Sequence, residues 1–244
     1  MAMDDKQRAK LAERLKGQKE RGKSVWWRPE EGKNLIRFTP YPHGDDPFIE
    51  YYYHYNLSSD KKPVLCPKRT FGKECPVCDF VATLWKGENS DEKLAKQLNA
   101  KQRIHSPVID RNREEDGIKL YSYGGQLYEK LLETMLDPDF GDITDPKNGC
   151  DVLVRYEKAS AGNPFPKTDI TVKPKETPML EAGKEAWEEL LEACPNMTDL
   201  VPEHTAEELE DMLKALAGVG EEEDDTGTGT DYNDEEDTDK VDFG

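Results

Sequence analysis

The sequence lacks long apolar runs, and its cysteines are too few and odd in number for a disulfide framework. It has no stretch of about 18 apolar residues and no apolar N-terminal signal segment, so neither membrane insertion nor secretion is expected. Only 35% of the 244 residues are hydrophobic, and an equal fraction is charged. We therefore expect a folded part of about 180 residues. The five cysteines favour thiol chemistry in a reducing, cytoplasmic compartment.

Catalytic signatures are also missing from the sequence. It contains no phosphate-cradling glycine loop, no G-x-S-x-G elbow and no H-E-x-x-H pair. Acidic residues are plentiful, but most are close to the C-terminus, where a carboxylate without a rigid setting cannot serve as a general base. We therefore predict that the protein is not an enzyme.

The negative charge is unevenly distributed. The formal net charge is −18, yet residues 1–180 hold 31 Lys and Arg against 29 Asp and Glu. Residues 181–244 hold 3 against 23, whereas residues 1–28 hold nine cations against four acids. Net charge therefore does not exclude nucleic acid as a ligand, although binding a polyanion requires cations that replace its counterions.

Four residues of the kinds that bind zinc occur within 25 positions. Cys75 and Cys78 form a C-P-V-C turn, and Cys66 and His54 precede it. A C-x-x-C turn supplies two of the four donors that a tetrahedral zinc site needs. We predict one structural zinc ion on these residues, because four protein ligands leave no open coordination position. His43 is the main alternative for the fourth ligand.

The two remaining cysteines, Cys150 and Cys194, have no neighbouring ligand-type residues. We expect both to be ordinary buried residues.

Basic and aromatic residues alternate around this motif and after it. One group contains Lys68, Arg69 and Phe71, and a second contains Lys101 and Arg103, followed by Tyr121 and Tyr123. Cations follow phosphates and rings stack on bases, a combination that suits single-stranded nucleic acid. Which of the tyrosines pack in the core remains open at this point, because a strand alternates its two faces.

Short strands, irregular loops and a few helices make up the expected fold. Strands are predicted at 35–39, 48–55, 106–110, 118–123, 152–156 and 170–173. Those at 106–110 and 118–123 are expected to form a hairpin, and those at 152–156 and 170–173 an antiparallel pair. Helices are predicted at 78–85, 91–100 and 127–136, and two more within 183–217, split by Pro195 and Pro202. Leu127, Leu131 and Leu132 are expected on one face of the third helix. This order favours an α+β, mainly β fold with a Greek-key barrel of the OB type as its core.

The composition divides the chain into four parts. A basic arm covers residues 1–28, and a core covers 29–180 with a zinc-binding subdomain inserted at about 54–85. An acidic helical region covers 181–220. Residues 221–244 contain twelve acids and one Lys, and we expect this tail to be disordered because it cannot build a core.

The stretch Leu35-Ile36-Arg37-Phe38-Thr39-Pro40, the His54, Cys66, Cys75, Cys78 order and Tyr121-Ser122-Tyr123-Gly124 resemble the single-stranded-DNA-binding, helix-destabilising proteins of T-even-type bacteriophages. The likeness covers about residues 30–178. It implies an OB-fold that coats single-stranded DNA with little sequence preference in phage replication, recombination and repair, within the host cytoplasm. It also implies cooperative self-contact through the basic arm and recruitment of replication proteins by the acidic tail.

Carried over to this chain, the resemblance makes His54, Cys66, Cys75 and Cys78 the zinc ligands. It implies the DNA contacts Arg37, Lys68, Arg69, Phe71, Lys101, Arg103, Tyr121, Tyr123 and Phe165. The arm lacks a clean match to the compact run of Lys/Arg and Ser/Thr that the family carries there. The alternative from another class is a zinc-ribbon adaptor or DNA mimic that acts through its acidic C-terminal region, and a nuclease is a more distant one.

Overall fold

The structure is a computed structural model that describes residues 24–58, 62–86, 91–160 and 162–219. The predicted basic arm, up to residue 23, and the predicted acidic tail lie outside the described residues.

The described residues form a mixed fold of strands and helices. The strands are β1 (Trp26–Trp27), β2 (Gly32–Phe38), β3 (Ile49–His54), β4 (Val64–Leu65), β5 (Lys101–Asp110), β6 (Lys119–Tyr123), β7 (Cys150–Glu157) and β8 (Lys167–Glu176). The helices are α1 (Pro67–Phe71), α2 (Pro76–Lys86), α3 (Glu92–Leu98), α4 (Gly125–Leu136), α5 (Lys184–Glu192), α6 (Met197–Leu200) and α7 (Ala206–Val219). The prediction of a mainly β, α+β fold is confirmed.

All eight strands belong to one sheet, whose main path runs β1-β6-β5-β2-β7-β8. The ten-residue strand β5 is shared along its length: residues 101–105 pair with β3, residues 104–108 with β6 and residues 108–110 with β2. The predicted hairpin of β5 and β6 is confirmed, as is the antiparallel pairing of β7 with β8. Strand β5 therefore joins the main sheet to β3 and β4, which lead into the cysteine-bearing loop.

The main core lies between this sheet and α4. It contains Ile36 and Phe38 from β2, Ile104 and Val108 from β5, and Leu127 and Leu131 from α4, among other buried side chains. The prediction that Leu132 shares this face is wrong, because Leu132 is 37% exposed. Successive helical residues point in directions about 100° apart, so Leu132 lies outside the buried stripe that contains Leu131.

Arg37 is fully buried between Ile36 and Phe38. Its guanidinium donates hydrogen bonds to the backbone carbonyls of Ile143, Asp145 and Cys150, the last at 2.8 Å. Burial lowers the pKa of Arg37 to about 10, although the negative charge of Asp151 acts to raise it. The group therefore remains cationic at neutral pH. The three bonds fasten the loop before β7 onto β2.

Gly149 lies at the point where this loop passes closest to the guanidinium. A Cβ there would overlap the Arg37 guanidinium and the carbonyl oxygen of Ile143. Only glycine therefore fits at this position without displacing the Arg37 guanidinium or the Ile143 carbonyl.

The acidic helical region packs against the rest of the molecule. Instead of the two helices predicted, three helices lie in this region, because α5 and α6 flank Pro195 and α6 and α7 flank Pro202. Cys194 packs with Ile109 and Ile118, while Met197 and Val201 pack with tyrosines of β3. Leu209 of α7 is fully buried in the cluster around the cysteines. In the described part of the chain, no helix combines the length and apolarity needed to cross a membrane.

Candidate metal centre and nucleic-acid interface

The predicted zinc ligands are brought together by four successive elements. His54 ends β3, Cys66 follows β4, Cys75 precedes α2, and Cys78 lies in the first turn of α2. Strands β3 and β4 pair with His54 opposite Val64, which brings Cys66 beside the histidine. Gly72 then ends α1 in the left-handed conformation, with φ of 71°, and this turn returns the chain to Cys75.

The donor atoms are separated as a tetrahedral site requires. The Cys66 sulfur lies 3.9 Å from that of Cys75 and 3.4 Å from that of Cys78. His54 Nε2 lies 3.4 Å from the Cys75 sulfur and 3.7 Å from that of Cys78. Zinc–sulfur bonds of about 2.3 Å place two tetrahedral thiolates about 3.8 Å apart, whereas a disulfide needs about 2.05 Å. The four residues can therefore hold a metal ion.

The histidine is oriented for ligation by a backbone contact. Its Nδ1 lies 2.7 Å from the carbonyl oxygen of Leu98. Because a carbonyl only accepts, Nδ1 carries the proton, and the lone pair of Nε2 faces the sulfurs. Metal-ligating histidines commonly have such a partner on the second nitrogen.

The Cys66 sulfur is held in a setting that favours the thiolate. Hydrogen bonding with the Cys75 and Cys78 sulfurs, together with the backbone N–H of Arg69, lowers the pKa of Cys66 well below its ordinary value. A thiolate is the form in which cysteine binds metal. Cys66 is also the N-cap residue of α1, where backbone N–H groups of the first turn point toward its sulfur.

A small apolar cluster surrounds the four ligands. We refer to this cluster and the four ligands together as the metal lobe. Its buried members include Val77, Val81, Leu98 and, from α7, Leu209. His43, the alternative fourth ligand, lies elsewhere, with Nε2 2.8 Å from the carbonyl oxygen of Cys194. The structure thus groups His54, and not His43, with the three cysteines. Cys150 and Cys194 are buried outside the lobe, as predicted.

Helix α1 presents the first predicted DNA-contact group on the surface of the lobe. The Phe71 ring is 39% exposed, stands edge-on to Tyr51 at 5.8 Å and has the ammonium group of Lys73 5.0 Å from its centre. The Arg69 guanidinium lies 5.8 Å from the ring centre of Tyr52. Lys68 pairs with Asp79 at 2.6 Å. Exposed cations therefore lie on both sides of one exposed ring, Phe71, at and just after α1.

Residues Lys101 and Arg103 of the second group lie next to this surface. Strand pairing sets Lys101 opposite Tyr53 and Arg103 opposite Tyr51. Lys101 is half-buried and Arg103 is buried. Strand alternation places Tyr51 and Tyr53 inward, and Tyr52 and Tyr55 are half-buried, which answers the question that the sequence left open for this strand.

The other predicted contact residues are apart from α1. Tyr121 and Tyr123 lie in the main core, with ring centres 5.0 Å apart, and Tyr121 also meets Trp27 at 4.8 Å. Phe165 is half-buried in the loop before β8. Neither the two tyrosines nor Arg37 exposes appreciable surface to a ligand in this conformation. Their DNA contacts stay a prediction.

Two further residues contribute to this surface, although neither was among the DNA contacts that the resemblance implied. Tyr52 and Lys73 each complete a cation–aromatic pair with a predicted residue. Their types fitted the basic–aromatic pattern, but only the folded geometry shows which ring meets which cation.

A family model described as gp32 DNA binding protein like matches residues 30–220. The match spans strands β2 to β8, the metal lobe and the acidic helices. The chain belongs to this gp32-like family of DNA-binding proteins. No curated protein matches the chain. The resemblance to the single-stranded-DNA-binding proteins of T-even-type phages is thus confirmed, and the matched region extends beyond the residues on which it was first seen.

Membership defines the general activity. The gp32-like family binds DNA and is not a family of enzymes, which agrees with the absence of catalytic motifs from the sequence. Single-stranded DNA is the general ligand that this membership supports.

Proposed function

We propose that the protein coats single-stranded DNA with little sequence specificity during phage replication, recombination and repair. The observation that carries the proposal is the group of exposed cations around Phe71, at and just after α1, which lies beside β3 and the ligand cluster within the matched family region. Phosphates would pair with Arg69, Lys68 and Lys73, and bases would stack on Phe71. Duplex DNA offers no free base faces to such a surface.

The metal that fits the cluster best is zinc. Three sulfurs and one imidazole at tetrahedral separations form a closed site, which suits a structural ion. The residues would hold the ion and close two loops around it. Its chemical contribution is to fold the lobe, and the lobe in turn presents α1.

The remaining parts of the proposal follow the family resemblance. The core of residues 29–180 would be an OB-type barrel with the metal lobe inserted at about 54–85. The basic arm, residues 1–28, would make cooperative contacts between neighbouring copies along the strand. The acidic residues 221–244, beyond the helical region 181–220, would recruit replication and recombination proteins. The site of action would be the cytoplasm of the host cell.

A labelled oligo-dT titration at two salt concentrations tests the proposal. The coating protein is expected to bind strongly at low salt, with the logarithm of affinity falling by about 0.7 per phosphate contact for each tenfold rise in salt. A zinc-ribbon adaptor or DNA mimic predicts no binding at either concentration. Absence of binding at low salt would therefore overturn the proposal.

Glu203 is expected to compete with DNA for Lys73. The two side chains form an ion pair, and each is at least half-exposed. Glu203→Gln should tighten oligo-dT binding by up to about fivefold at low salt, because an exposed pair is worth only about 0.2–1 kcal/mol. The gain should disappear at high salt.

Glu188→Gln is the matched control for this change. It removes the same charge from α5, where Glu188 pairs with Lys184 at 3.4 Å. Equal tightening by both variants would show a general charge effect and would contradict a specific role for Lys73.

A further inference from the structure

Helix α1 is attached to the edge of β3 just beyond the residues that pair with β4. Strand β4 pairs with Tyr53 and His54. Next to them, α1 and its N-cap satisfy both backbone groups of Tyr52. The N–H of Cys66 donates to the Tyr52 carbonyl at 2.7 Å, and the Tyr52 N–H donates to the Thr70 hydroxyl oxygen at 3.1 Å. A side chain of α1 thus takes the place of a strand carbonyl as the acceptor.

This hydroxyl lies between the two ring contacts of α1. Thr70 is half-buried, whereas its neighbours Arg69 and Phe71 are exposed. The Arg69 guanidinium lies 5.8 Å from the ring centre of Tyr52, and the Phe71 ring stands edge-on to Tyr51 at 5.8 Å. The residue that is bonded to β3 therefore separates the exposed cation from the exposed ring.

The short helix needs such an attachment to keep its orientation. It has five residues, and isolated helices shorter than about 12–15 residues are marginal in water. Of the five, Pro67 alone is buried, so apolar packing fixes the C-terminal end of α1 only weakly. Cys66 anchors the N-terminal end, and the Thr70 hydroxyl anchors the end that carries Phe71.

We propose that Thr70 is a positioning residue for the base contact, because its hydroxyl holds Phe71 in the orientation that stacks on a base. This inference rests on the proposed function of α1. A stacking ring must lie flat against the base, whereas an ammonium on a flexible stem can follow a phosphate. Loss of the hydroxyl should therefore weaken the base contact and spare the phosphate contacts.

Thr70→Val and Thr70→Ser, made in the whole 244-residue chain, test this inference. Valine has nearly the shape of threonine without the hydroxyl, and serine keeps the hydroxyl. Affinity is measured at low salt for oligo-dT and for an abasic strand of the same length. Thr70→Val should weaken oligo-dT binding by about three- to tenfold and leave the affinity for the abasic strand unchanged. Thr70→Ser should bind both strands as the unmodified protein does.

Two further measurements on the same variants do not depend on DNA. Amide hydrogen exchange at Tyr52 should be faster in Thr70→Val than in Thr70→Ser, because only the valine variant lacks the acceptor of that N–H. Elemental analysis should give the same metal content for both variants, since Thr70 is not among the four ligands.

Thr83→Val is the matched control. Thr83 is exposed on α2, and its hydroxyl donates to the carbonyl oxygen of Phe80 at 2.7 Å. The change removes the same hydroxyl from the neighbouring helix without affecting the attachment to β3. Both affinities should stay as in the unmodified protein.

The outcomes separate this inference from the proposed function. If the unmodified protein binds neither strand, the proposed function fails and the inference fails with it. If it prefers oligo-dT and Thr70→Val keeps that preference, the proposed function stands and the positioning role of Thr70 is overturned. An equal loss of affinity for both strands in Thr70→Val would also overturn that role, because it would show general damage to the lobe.

Discussion

Replacing Cys75 with serine is expected to release the metal and to lower the melting temperature by about 10 °C. Cys75 is fully buried, and its sulfur is one of four donor atoms that lie close enough together to hold one metal ion. We expect a loss of about 3–5 kcal/mol, below the apparent 10–16 kcal/mol of isolated zinc fingers, because the lobe keeps its own apolar cluster. In a chain of this size each kcal/mol shifts the melting temperature by about 2–4 °C. Elemental analysis and thermal melting measure both effects.

Cys194→Ser is the control for the chemical change itself. Cys194 is buried outside the metal lobe, so its replacement should keep one equivalent of metal per chain. A Cys75→Ser variant that melts like the Cys194→Ser variant would show that the lobe folds without metal.

Replacing Arg37 with methionine is expected to destabilise the protein by about 3–5 kcal/mol. The change leaves three backbone carbonyls without their charged donor in a buried site. Each such bond is worth about 1.5–3 kcal/mol, but the variant no longer has to bury a charged guanidinium, which offsets part of the loss. The loop before β7 would then lose its attachment to β2. Urea unfolding measures the loss, and Arg37→Lys should be intermediate because an ammonium cannot fork to the same three acceptors.

The same pair of variants separates a structural role from a DNA contact. A residue that only met a phosphate would leave the unfolding midpoint unchanged and would reduce the salt slope of oligo-dT binding by about one phosphate contact. That result would contradict a structural role for the three Arg37 hydrogen bonds. Arg37→Lys keeps the positive charge and so should keep the salt slope in either case, which leaves its unfolding midpoint as a separate test of the structural role.

The ligand set was predictable from sequence because its chemistry is local. A C-x-x-C turn brings Cys75 and Cys78 together whatever the rest of the fold does. The spacing did not decide between His43 and His54, since both precede the cysteines by a loop. The pairing of β3 with β4 decides it, by placing His54 beside Cys66. The short helix α1 was not predicted, because its five residues are too few to show a period.

Burial was predictable only where one face of an element meets the core. In β3, alternation predicted that one set of tyrosines would face inward, and the structure shows that this set is Tyr51 and Tyr53. In β2 the rule fails, because Ile36, Arg37 and Phe38 are consecutive and all buried. The loop from Ile143 to Cys150 covers the second face there, and no local pattern indicates that cover. Leu132 shows the opposite error: it is apolar and exposed.

Oligo-dT titration of the Cys75→Ser and Cys194→Ser variants at two salt concentrations tests whether the ligand cluster fixes the lobe that presents α1. This role of the cluster predicts that the Cys194→Ser variant binds as the unmodified protein does, with the same salt dependence. It also predicts that the Cys75→Ser variant binds at least about tenfold more weakly. A Cys75→Ser protein free of metal by elemental analysis, yet equal to the unmodified protein in affinity at both salt concentrations, would contradict it.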